Sequence, residues 1–115
     1  MTQKNKPLYD EHGTIRKGFK ILPDEKFRVK FLEALAELED NECHKKHNFP
    51  KTELHRLRGY KDIVYRGYID KISGWRFHVQ YGENNTLFLN DVLEPKVHDD
   101  ALKVVKRKKY RYNKS

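Results

Sequence analysis

A chain of 115 residues suffices for one domain, and with charged and hydrophobic residues at 37% each its core must be compact. The net charge of +8 favours a polyanionic partner, nucleic acid ahead of an acidic protein or an anionic membrane. A single cysteine, Cys43, excludes an internal disulfide framework and fits a reducing compartment; no apolar run approaches the roughly 18 residues of a membrane span and no signal-peptide pattern is visible, so a soluble, cytoplasmic protein is expected.

Residues 1–14 are polar, contain Lys4, Lys6, Pro7 and Gly13, and read as a flexible or loosely docked arm ahead of a single domain over residues 15–107. Ile15, Phe19, Ile21 and Leu22, interrupted by Gly18, predict a first strand over residues 15–22. Pro23-Asp24-Glu25 opens a helix, with carboxylates in the first turn where the helix dipole favours them. Phe27, Phe31, Leu35 and Leu38 follow at helical spacing, with Leu32 and Ala34 beside them, and predict one buried stripe.

Residues 40–50 are polar and carry Cys43, His44 and His47. The Cys-His-x-x-His spacing could supply zinc ligands, but structural zinc takes four and no second Cys or His pair follows at the usual distance. A solvated loop or frayed helix end is therefore expected, with no metal and no cofactor. Residues 51–58 predict a short helical turn, Leu54 and Leu57 inward, His55, Arg56 and Arg58 outward.

Residues 57–80 carry the densest signal. Two runs rich in β-branched and aromatic side chains, residues 63–69 and 75–81, flank a five-residue turn containing Gly74 and predict a β-hairpin. Folding them together sets Ile69 opposite Trp75, Tyr68 opposite Arg76, Arg66 opposite His78 and Tyr65 opposite Val79. Alternation then gathers Ile63, Tyr65, Ile69, Trp75, Phe77, Val79 and Tyr81 on an apolar face. Arg66, Tyr68, Arg76, His78 and Gln80 share the other face, a surface suited to phosphate and base.

Gly82-Glu83-Asn84-Asn85 has strong turn chemistry, and residues 86–93 read as the next antiparallel strand. Its buried face is ambiguous, because Leu87 and Leu89 compete with Phe88 and Val92. Glu94-Pro95 ends it, and Asp99 or Asp100 can cap a final short helix. No acidic residue follows Asp100; Lys106, Arg107, Lys108, Lys109, Tyr110 and Arg111 lead into a basic tail over residues 108–115 that tracks a phosphate backbone or simply keeps the protein soluble, the first being favoured. There is no Gly-rich phosphate loop, no Gly-x-Ser-x-Gly and no His-Glu-x-x-His. The order of elements predicts an α+β domain: a small antiparallel β-sheet packed against an N-terminal amphipathic helix, with a short C-terminal helix.

Leu57-Arg58-Gly59 before the hairpin, Gly74-Trp75-Arg76-Phe77-His78-Val79 within it, and a last strand leading to a basic segment resemble the RelE/ParE toxin superfamily, chiefly its RelE-type ribonucleases. The resemblance spans residues 15–107 and implies a sheet packed on N-terminal helices, a basic concave face, mRNA cleavage on the ribosome without a metal, and neutralisation by a cognate antitoxin. It implies that Arg76 matches the arginine of the family's Gly-Tyr-Arg motif, that Arg66 stands where a catalytic lysine is found, and that Lys96 lies near a later arginine. The chain departs from the family in having Tyr68 for a second strand lysine and Leu102 at the spacing of a C-terminal tyrosine, a gap that His98 could fill.

Metal-free RNA cleavage needs a base for the 2′-OH, cations around the phosphorane and an acid for the leaving oxygen. His78 and His98 are the sequence's candidates for proton transfer. Arg66, Arg76 and Lys96 are those for the phosphate, and Tyr68 for stacking on a base. Arg58, Tyr68 and the basic residues 106–111 would add nucleic-acid contacts. Each has a plainer reading: a cross-sheet hydrogen bond for His78, an ion pair with Asp91 or Asp62 for Arg76, packing for Tyr68. A non-catalytic RNA- or DNA-binding module, and a ParE-like toxin acting on a protein such as DNA gyrase, are the alternatives.

Overall fold

The computed structural model describes residues 6–57 and 63–95, so Arg58, Asp62, Lys96, His98, the stretch expected to form a final helix and the basic stretch over residues 106–115 lie outside the described residues. Within them the α+β class holds: three helices precede most of a five-stranded sheet.

The start of the chain differs from the expected arm. Leu8–Tyr9 forms β1, a two-residue strand parallel to the last one, with Leu8 beside Leu87 and Tyr9 beside Phe88. Residues 15–22 differ as well, folding not as a strand but as helix α1, Thr14–Ile21. The Asp10 carboxylate starts it by accepting from the backbone N–H of Thr14 at 2.7 Å and of Ile15 at 3.0 Å, two donors that a helix start leaves without partners. Ile15, Phe19 and Leu22 also fit a helical period, and Gly18 lets the helix meet the Phe31 ring, where a Cβ would clash.

Helix α2, Glu25–Leu38, follows as the sequence predicts. Asp24 caps it, accepting from the Phe27 N–H at 3.2 Å. Phe31, Ala34, Leu35 and Leu38 form its buried stripe, whereas Leu32 faces solvent. The polar stretch after it contains a third helix, α3, Asn41–Lys46, capped by Asp40. His44 of α3 is buried with both ring nitrogens engaged, by the Leu38 carbonyl at 2.7 Å and the Tyr81 hydroxyl at 2.6 Å.

The expected helical turn after α3 is replaced by β2, His55–Arg56. Then come β3, Tyr65–Asp70; β4, Trp75–Tyr81; and β5, Leu87–Leu93. The sheet order is β1-β5-β4-β3-β2, antiparallel except at β1. The hairpin register sets Tyr65 opposite Val79, Arg66 opposite His78 and Tyr68 opposite Arg76, as alternation predicts. A bulge between Tyr68 and Asp70 shifts the last pair, so that Asp70 rather than Ile69 stands opposite Trp75.

A second register shift resolves the ambiguity of β5. It falls between the His78–Asp91 and Val79–Leu89 pairs and leaves Asn90 as the extra residue. Leu87, Leu89 and Val92 thereby all face the core, opposite Tyr81, Val79 and Phe77. Phe88, Asp91 and Leu93 take the other side with Gln80, His78 and Arg76. Along the outer edge of β5, α1 supplies side-chain donors: Thr14 Oγ1 to the Asn90 carbonyl at 3.3 Å, and Lys17 Nζ to the Asp91 carboxylate at 2.7 Å. An edge that would otherwise present bare carbonyls is covered.

Candidate nucleic-acid interface

The central strand β4 is buried on both sides, from Trp75 to Gln80 without a break. This changes what the hairpin's polar face can do. Arg66 and Tyr68 remain half-exposed on β3, while Arg76 is 1% exposed and His78 and Gln80 are wholly covered. The expected open surface of five polar residues becomes a line of half-exposed groups above a buried polar layer.

Within that layer Arg66 Nε donates to His78 Nε2 across the strands at 3.4 Å, which requires a lone pair on that nitrogen. Burial above all, then the positive charges of Arg66 and Arg76, pulls the His78 pKa down to about 3 against the opposing pull of Asp91. His78 is therefore neutral at physiological pH and shut off from solvent, and the expectation that it titrates near neutrality as an acid or base does not hold. Arg76 Nη1 is held by the backbone carbonyls of Gly74 at 3.0 Å and Glu94 at 3.2 Å, which ties the hairpin turn to the end of β5.

The reachable part of this face opens at the hairpin turn. A pocket of about 370 Å³ lies there, lined by Arg66, Tyr68 and Arg76 together with Lys71, Ile72, Ser73, Gly74 and Pro95. None of these described lining residues is acidic. The turn itself is rigid: Asp70 accepts from both the backbone N–H and the hydroxyl of Ser73, and Gly74 takes a φ of 90° that favours glycine. Lys30 of α2 pairs with Asp70 at 2.7 Å and, with Ser73, holds its carboxyl at a pKa of about 2. Lys71 stands over the Tyr68 ring, its ammonium 5.9 Å from the ring centre.

One group that the sequence reading passed over belongs to this face. His55 of β2 pairs with Arg66, so His55, Arg66 and His78 form one line across three strands. Its ring centre lies 6.1 Å from that of Tyr68, and its exposed imidazole has Nδ1 bonded to the Glu53 carbonyl at 2.9 Å. A carbonyl can only accept, so Nδ1 carries a proton, and Nε2 is the ring nitrogen left to face a ligand. A strand of two residues has no periodicity from which to read this, and only the pairing with β3 reveals it.

Arg66, Tyr68 and Lys71 thus set a half-buried guanidinium, a flat ring and an exposed ammonium, paired with Glu53 at 3.0 Å, around one opening, with the His55 imidazole beside the Tyr68 ring. That set can hold a phosphate, stack a base and accept a proton. No family model, no curated protein and no solved structure matches the chain. Function is read from the chemistry of the site.

Proposed function

We propose that this protein acts on RNA as a RelE-like endoribonuclease, cutting message on the ribosome without a metal and held in check by a cognate antitoxin. The observation that carries the reading is the pocket lined by Arg66, Tyr68, Lys71 and Arg76, with no acidic residue among its described walls and with His55 paired to Arg66 on the neighbouring strand. The order of elements, helices ahead of an antiparallel hairpin and last strand, also agrees with what the resemblance implies.

Arg66 and Lys71 are the cations within reach of a scissile phosphate, and Tyr68 offers a face to the neighbouring base. His55 replaces His78 as the group that takes the 2′-OH proton. The 2′-oxygen then attacks phosphorus, the bond to the 5′-oxygen breaks to leave a 2′,3′-cyclic phosphate, and the departing oxygen takes a proton from solvent water. His78 becomes a positioning residue, holding the Arg66 side chain from below through its neutral Nε2. Arg76, bonded to the turn carbonyls, keeps the pocket floor in place and adds positive potential.

An in-translation cleavage assay tests this. Wild-type protein is expected to shorten the message, with Arg66→Ala lowering the rate about 10²-fold through loss of phosphate stabilisation, and His55→Gln lowering it at least as much. Message left intact by the wild-type chain would remove the reading. The buried, neutral state of His78 favours a second reading, a non-catalytic RNA-binding module, for which salt-sensitive binding without cleavage is the signature.

A further inference from the structure

A second pocket lies on the opposite face of the sheet, at the far end of β4 from the hairpin turn. It encloses about 210 Å³ between the segment leading into β1 and helix α3, and its described lining is Lys6, Asn41, His44, Lys45, His47 and Tyr81. Two lysines, two histidines and an amide converge there, again with no acidic residue among the described walls.

Lys6 is only 2% exposed, an uncommon fate for a lysine, and its Nζ lies 5.2 Å from the centre of the Tyr81 ring. Burial draws its pKa below the usual ammonium range. His44 forms the back wall in a defined tautomer. Its Nε2–H donates to the Leu38 carbonyl, and its Nδ1 accepts from the Tyr81 hydroxyl, which burial keeps protonated with a pKa pushed up to about 12. The wall is therefore neutral, and the positive charge comes from Lys6 within and from Lys45 at the mouth, beside the exposed imidazole of His47.

A plainer role for Lys45 and His47 would be to satisfy carbonyls at the end of α3. Backbone donors already serve that end, Asn48 N–H bonding to the Cys43 carbonyl at 3.0 Å and His47 N–H to the His44 carbonyl at 3.3 Å. Lys45 also pairs with Glu42 at 3.6 Å, but both are half-exposed and such a pair is readily exchanged for a better anion.

We infer that this pocket is a binding site for a phosphate dianion, either free or as the terminal monoester of a nucleotide, seated between Lys6, Asn41, Lys45 and His47. Its volume suits one tetrahedral oxyanion with its water. It lies apart from the proposed RNA pocket and shares no lining residue with it.

Titration of the full chain with inorganic phosphate, and separately with a nucleoside 5′-monophosphate, followed by amide and imidazole NMR shifts against sodium chloride at matched ionic strength, tests the site. Saturable shifts at Lys6, Asn41, His44, Lys45, His47 and Tyr81 are expected, in the millimolar range or tighter, as a group separate from any at the hairpin-turn pocket. A response to phosphate alone identifies a free-anion site; tighter binding of the monophosphate identifies a nucleotide end. The exposed double variant Lys45→Gln, His47→Gln is expected to weaken binding at least tenfold while leaving the fold intact, and Arg66→Ala to leave it unchanged. Shifts spread over surface lysines and matched by sodium chloride, or binding undiminished in the double variant, would overturn the assignment.

Discussion

His78 lies opposite Arg66 with its imidazole fully buried and its pKa near 3, against 6.5 for the free side chain. Between those values the unfolded chain takes up a proton that the folded chain refuses, so stability falls as pH drops from 6.5 towards 3, by up to about 1.4 kcal/mol per pH unit. His44, also held below its ordinary range by burial, acts in the same sense. Urea titrations at about pH 7.5 and about pH 5 are expected to differ by on the order of 2 kcal/mol, and His78→Gln to flatten that dependence. An equal slope in the variant would mean that the imidazole is not kept neutral. At this scale the sequence was legible in part. Alternation named the residues that share a face with Arg66, but it could not say that β4 would be covered on both sides, because burial of a second face depends on elements remote in the chain.

The hairpin and β5 show how much an element owes to irregularity. Gly67 stands opposite Phe77, whose ring lies where a Cβ would be. Gly67→Ala is expected to cost about 1–3 kcal/mol, read as a lowered urea midpoint, since Phe77 is fully buried and has no room to yield. Three of the hairpin's four regular pairs, Tyr65–Val79, Arg66–His78 and Tyr68–Arg76, are named by parity in the sequence. The expected Ile69–Trp75 pair gives way to Asp70–Trp75, because a bulge breaks parity without leaving a composition signal. The same device in β5 lets three apolar residues that seemed to compete for one face share it. Helix α1 was read as a strand because Gly18 looked like an interruption; it is the contact point with α2 that a larger residue would block.

The whole chain carries a net charge of +8, and its accessible cations at the hairpin opening predict binding that weakens with salt. For single-stranded RNA each phosphate neutralised contributes about 0.7 to the slope of log affinity against log salt. Arg66→Ala with Lys71→Ala is expected to reduce that slope by about 1.4, measured by fluorescence anisotropy at several salt concentrations. An unchanged slope would place the RNA elsewhere on the molecule. The α+β class was legible from the order of patterned segments, whereas the docking of residues 6–9 was not, because two residues beside a distant strand leave no local periodicity.

That docking has a bearing on synthesis. Leu8 and Tyr9 take their strand partners from Leu87 and Phe88, so during synthesis residues 8 and 9 stay without that pairing until residues 87 and 88 have left the exit tunnel.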